Sequence, residues 1–149
     1  MSTAHAVSYS SPTDELRQLH DVATSRALRT LRQARGILRF GFTVAPILFG
    51  LDKFFNMMVD WTKYLAPQIA GMLPFSPSTF MRGVGVVEIV AGLIVALRPY
   101  LGGYVVAMWL WAIIINLLMI PGYYDIALRD FGLSLGAIAL ARMSKGLDR

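Results

Sequence analysis

Seven polar residues stand in or beside the apolar blocks of this 149-residue chain: Asp52, Lys53, Glu88, Asn116, Asp125, Arg129 and Asp130. An ionisable side chain in lipid is costly, so each needs a protein partner or a task. Together they offer acceptors (Glu88, Asp130, the Asn116 carbonyl) and donors (Lys53, Arg129, the Asn116 amide). Glu88 is the best proton carrier of the set, because burial and a neighbouring cation act on a carboxyl in opposite senses. The charges of Asp52, Lys53, Glu88, Arg129 and Asp130 sum to −1, and Arg82 brings the sum to zero, a balance that suits a paired network. Two uses fit such a network. It can fix packing among helices, or it can line a polar pocket for a quinone headgroup, another small amphiphile or a proton relay.

Other chemistries lack their residues. There is no cysteine, so disulfide, thiolate and iron–sulfur chemistry are excluded. The two histidines, His5 and His20, lie in the polar N-terminal segment, which leaves no histidine ligand for haem, copper or zinc inside the apolar blocks. No metal site is expected, and no glycine-rich nucleotide loop is visible.

The elements that must position these residues are membrane helices. The chain is 56% hydrophobic and 15% charged, with mean hydropathy +0.55, whereas soluble domains are about a quarter charged. The net charge of +5 flanks the apolar blocks and does not interleave with aromatics, so a membrane surface is expected as partner and nucleic acid is not. Residues 1–10 are small and polar, and they lack the pattern of a signal peptide. From Ser11, a suitable N-cap before Pro12, Asp14 and Glu15, an amphipathic helix is expected. It carries Arg26, Arg29, Arg32 and Arg35, followed by Arg39, as a cytoplasmic surface or as a docking site for a soluble partner. Four spans follow: Ile37 to about Met58, Ser76-Pro77 to Leu97, Leu101 to Ile120, and Tyr123 to Met143. Residues 59–78 read as an interfacial loop with a short aromatic-anchored helix. The fold class is thus all-α: a four-helix integral membrane bundle over 36–144, preceded by an arginine-rich segment 1–35 and followed by a basic tail 145–149.

Ten basic residues fall on one side of this arrangement, which predicts a multi-pass protein of the cytoplasmic membrane with both termini cytoplasmic. At ~1.5 Å per residue, Lys53, Glu88, Asn116 and Arg129 all lie ~8–12 Å from the outer face, as one polar layer. Small residues share faces with that layer: Gly50 with Lys53, Gly85 and Gly92 with Glu88, and Gly132 and Gly136 with Asp125 and Arg129. These glycines are expected to mark helix contacts.

From Ile37 to Met143 the chain resembles the DoxX family of small four-helix membrane proteins. The resemblance rests on Gly50-Leu51-Asp52-Lys53-Phe54, on Gly85 through Glu88 to Ala91-Gly92-Leu93, on Pro99 with Gly102-Gly103, and on Tyr124-Asp125-Ile126-Ala127-Leu128-Arg129-Asp130. It implies a membrane subunit linked to quinone-coupled redox systems. The expected function is a non-catalytic subunit of such a complex, with redox protein partners, a homo-oligomer as a further option, and quinone as the one candidate cofactor. The alternative is a small transporter or channel using the buried Glu, Lys and Arg residues, although one short bundle without a repeat offers little machinery for alternating access. A lone oxidoreductase would have to borrow a noncovalent flavin or quinone.

Overall fold

The computed structural model describes residues 11–147; His5 and the rest of the first ten residues, with Asp148 and Arg149, lie outside the described residues. The described chain is all-α, with five α-helices, one 3-10 turn and no strand. Its internal contacts divide it into two units, Met1–Ala34 and Arg35–Arg149.

Helix α1 spans Pro12–Phe55. The N-terminal arginine-bearing helix and the first expected span are therefore one element, without a break at Pro46. A proline inside a helix removes one backbone bond and strains the preceding turn, but flanking turns can carry the helix through. The start follows its sequence signals: the Ser11 hydroxyl accepts from the Asp14 N–H at 3.3 Å and donates to the Asp14 carboxylate at 2.7 Å. The end comes three residues before the expected Met58. Asn56 takes φ +50°, a left-handed conformation that asparagine tolerates, and its N–H bonds the Asp52 carbonyl at 2.6 Å. Within the first unit, Arg26, Arg29 and Arg32 are exposed, as are Leu16, Leu19 and Val22.

In the second unit a 3-10 turn at Trp61–Tyr64 and the four-residue helix α2, Pro67–Ala70, lead to α3, Pro77–Leu97. Ser76 caps α3 by accepting from the Thr79 N–H, with Pro77 at the first helical position, as the sequence predicts. Arg98 alone separates α3 from α4, Pro99–Leu118. A turn through Gly122, at φ +94°, leads to α5, Tyr124–Leu147. Helix α5 runs on through Lys145 to Leu147, so the expected basic tail from 145 begins inside a helix.

Alanine and glycine faces hold this unit together. Ala91, Val95, Val106, Ala107, Ala137 and Leu140 form one core cluster, and Ile114, Leu117 and Ala127 a second under Tyr64 and Tyr123. Gly50 and Gly85 bring α1 and α3 into backbone contact: a Cβ on Gly50 would sit 2.6 Å from the Gly85 carbonyl oxygen. A Cβ on Gly92 would lie 2.8 Å from the Thr43 carbonyl, and one on Gly103 would lie 2.6 Å from that of Ala137. Small residues permit such approach where van der Waals contact between helices supplies the cohesion.

The outward faces are apolar. Phe40, Leu48, Val86, Val90, Leu93, Met108, Ile115, Leu128 and Leu135 are all exposed. So much exposed apolar surface requires an apolar solvent or a partner. Helices α1, α3 and α4 are long and apolar enough to cross a membrane. This is a protein built for a bilayer. Helix α5, with 24 residues, is also long enough, at ~36 Å, but it is less apolar.

Candidate functional site

The site is assembled where the C-terminal turn of α1 meets the middle of α3. The Gly50–Gly85 contact draws the two backbones together just below Lys53, and this lets a lysine and a glutamate meet inside the bundle. Lys53 Nζ donates to Glu88 Oε2 at 2.7 Å, with side chains only 4% and 9% exposed. The Trp61 ring covers the ammonium, with Nζ 3.6 Å from the ring centroid. A cation over an indole face is favoured most where water is excluded. Removing two charges from water is expensive, and a short, well-directed bond with further partners offsets it.

Two further polar groups adjoin the pair. Asp130, on α5, is 5% exposed and lies close enough to Glu88 to repel its charge. Asp130 pairs with Arg129, whose Nε stands 3.3 Å away while its side chain is 65% exposed. On α4, the Trp109 indole N–H is buried and interacts with the Glu88 carboxylate at a geometry looser than a hydrogen bond. The centre thus joins Lys53, Glu88, Trp109 and Asp130 from four helices under the Trp61 ring. Of the two buried carboxylates, Glu88 is paired with the Lys53 ammonium and Asp130 with the exposed Arg129.

Two residues expected in the same layer do a different task. Asp52 is buried and accepts from the Met57 N–H at 3.0 Å, the Met58 N–H at 3.1 Å and the Trp61 indole at 2.8 Å. It ties the chain after α1 back onto that helix and orients the ring that covers Lys53. The Asn116 side chain accepts from the Ala66 N–H at 2.9 Å and donates to the Tyr64 carbonyl. Leu65 and Ala66 are buried as a result, at 7% and 0% exposure. The segment read as an interfacial loop is therefore docked against α4. Aromatic contacts extend this cover, with Tyr64 against Tyr123 and Trp61 against Phe49 and Tyr64.

Several expectations are corrected. Asp125 and Arg129 are exposed, so they do not belong to the buried layer. The inward face of α5 is Ala127, Asp130, Ser134, Ala137, Ala141 and Ser144, which is one residue round from the expected face. Gly132 is accordingly exposed, and a Cβ there would meet nothing, so it is no packing glycine. Gly136 does make contact: a Cβ there would stand 3.3 Å from the Phe42 ring. Arg35, expected on the surface arm, is half-buried and donates to Ser144 at 3.1 Å. Trp61 and Trp109 complete the centre. Trp109 shares a helical face with Asn116 and so reads as inward-facing, whereas Trp61 reads as an interface anchor, and no local spacing ties it to Lys53 or Glu88.

The described residues hold no cluster of three or more His, Asp or Glu side chains able to bind a metal. Compared with models of known protein families, with curated proteins and with solved structures, the chain matches none of them.

Proposed function

We propose that this chain is a four-span subunit of the cytoplasmic membrane, with both termini cytoplasmic, that serves a quinone-linked redox assembly without catalysing the reaction itself. The observation that carries the reading is the buried Lys53–Glu88 pair with Asp130 beside it. A charge centre shared by four helices stabilises one arrangement of the bundle, and its extra carboxylate gives it a place to hold a proton. Exposed Leu128, Phe131, Leu133 and Leu135 support α5 as the fourth span despite its lower hydropathy. The DoxX-like stretches at residues 50–54 and 124–130 fall on the two helices that bring Lys53 and Asp130 to the centre. The only histidines are His5 and His20, so electrons would have to arrive through another subunit or a bound organic cofactor.

The direct Lys53–Glu88 contact, with both side chains buried and the ammonium under the Trp61 ring, favours a proton-holding structural centre over a wide pocket for a headgroup. The test is extraction of the tagged chain in mild detergent, followed by identification of co-purified proteins and quinone analysis of the lipid extract. A stoichiometric redox partner is the expected result. A chain that retains neither partner nor quinone overturns the reading and promotes the transporter alternative. Single cysteines placed near each terminus of this cysteine-free chain test the orientation, and labelling from the outside at either end refutes it.

A further inference from the structure

A second constellation lies where α3 gives way to α4, with Arg39 ~21 Å along α1 from Lys53. Arg35 and Arg39 from α1 and Arg98 from the α3–α4 junction line a crevice of about 590 Å³ together with Leu97, Pro99, Tyr100 and Leu101. Among the described residues, its lining carries three guanidinium groups and no carboxylate. Lys145 adds a further cation nearby, 5.7 Å from the Tyr100 ring centroid.

The arginines on α1 are held in place. Arg35 donates to Ser144, a fully buried hydroxyl on α5, and Arg39 donates to the Ala96 carbonyl in the last turn of α3. A guanidinium has five N–H donors in a rigid fork, so the bond from Arg39 to the protein fixes its position and leaves other donors for a ligand. The planar fork matches phosphate oxygens in bidentate geometry. Beside these cations, Leu97 is 80% exposed and Leu101 49% exposed. A free anion has no use for that apolar wall, whereas a molecule with a phosphate head and hydrocarbon chains uses both parts.

We propose that this crevice is a binding site for an anionic phospholipid, with its phosphate on Arg39 and Arg98 and its acyl chains along Leu97 and Leu101. Basic pockets between membrane helices recognise lipid headgroups through the same combination of cations and adjoining hydrocarbon. The occupant contributes to the bundle by tying α1 to the α3–α4 junction.

The experiment is native mass spectrometry and thermal unfolding of the delipidated full chain in mild detergent, titrated separately with cardiolipin, phosphatidylcholine and inorganic phosphate. Cardiolipin should remain bound and raise the melting temperature, and phosphatidylcholine should do neither. Arg98→Gln should weaken cardiolipin retention about fivefold, the effect of roughly one surface cation on lipid binding, and Arg98→Lys, which keeps the charge and loses the fork, should recover only part of it. Arg39→Gln also loses the bond to Ala96, so Arg98 carries the test; should Arg98→Gln fail to fold, the selectivity of the unmodified chain decides. Equal retention of cardiolipin and phosphatidylcholine overturns the proposal. So does a folded Arg98→Gln chain with unchanged cardiolipin retention. If millimolar phosphate alone reproduces the stabilisation, the crevice is a general anion site and the lipid assignment fails.

Discussion

Near the C-terminal end of α1, Lys53 and Glu88 are paired at 2.7 Å, buried and covered by an indole ring. About 21 Å back along the same helix, Arg39 joins Arg35 and Arg98 around an open crevice whose lining, among the described residues, holds no carboxylate. The first region turns its polarity inward. The Lys53 ammonium and the Glu88 carboxylate answer each other there, and the surrounding helices leave both side chains almost unexposed. The second region turns its polarity towards the surroundings. Substitutions in the first region should damage the fold, and substitutions in the second should change what the fold meets.

The largest expected effect is therefore at the buried pair. Glu88→Ala leaves Lys53 uncompensated inside the bundle and should cost about 3–5 kcal/mol. Replacing both residues by apolar ones, Lys53→Met with Glu88→Leu, should recover most of that loss, because no charge is then stranded. Arg98→Gln at the open end should stay within about 0.5 kcal/mol in the absence of added lipid. Thermal or denaturant unfolding in detergent ranks the three. If Glu88→Ala melts like Arg98→Gln, the pair is hydrated and the contrast between the two regions collapses.

Close helix approach gives the next contrast. Gly85→Ala places a methyl 2.5 Å from the Gly50 carbonyl oxygen, which forces α1 and α3 apart and should cost about 1–3 kcal/mol. Gly132→Ala adds its methyl to open space on a helix and should be neutral or stabilising by up to about 1 kcal/mol. The same melting experiment reads both. Equal losses would return Gly132 to the helix interface.

These two glycines also show what is legible in the sequence. Gly50, Gly85 and Gly92 are readable as contacts because they share a helical face with Lys53 or Glu88, and helical periodicity fixes a face once the helix is placed. Helix α5 defeats the same reasoning. Polar residues at 125, 129 and 130 straddle two faces, and Arg129 next to Asp130 allows either to point inward. Burial goes to Asp130, the shorter side chain, with Ser134 and Ala137 on the same face, while the longer arginine reaches outward to the surface. That Lys53, Glu88 and Asn116 belong to one end of the bundle is readable from residue counts. Their division of labour is not, because Asp52 and Asn116 bind backbone N–H and C=O groups of residues 57–66, and backbone partners leave no trace in composition. The basic crevice is legible only as a surplus of basic residues at one set of helix ends.

The docked segment offers a smaller test of the covered end. Asn116→Leu removes the acceptor for Ala66 N–H and the donor for the Tyr64 carbonyl, leaving two backbone groups at a buried position without their partner. Stranding such groups costs about 1–3 kcal/mol, reduced where the freed segment can reach water. The expected signature is local: faster proteolysis between residues 57 and 75 with a modest fall in melting temperature. Unchanged cleavage would mean that aromatic packing alone holds the segment.

The smallest effect concerns Asp60, which lies in that segment and is exposed. Its carboxylate accepts from the Thr62 hydroxyl at 2.6 Å and from the Thr62 N–H at 3.1 Å, capping the 3-10 turn that carries Trp61. These bonds favour the ionised form and hold its pKa below the ordinary aspartate value. A carboxyl whose folded pKa is depressed stabilises the fold fully above its unfolded pKa, and that contribution is lost as pH falls through the folded value. The turn should therefore loosen only in acid, below the range where free aspartate titrates. Asp60→Asn should make cleavage of the segment independent of pH over that window, and Thr62→Val should move the transition up towards ordinary aspartate. Because Trp61 also takes its position from Asp52, the ring should stay over Lys53 in both variants, and indole fluorescence should change little. A large fluorescence change on acidifying the unmodified chain, abolished by Asp60→Asn, would show that the exposed cap governs the cover over the buried pair, and the buried centre would then be less insulated from its surroundings than its burial indicates.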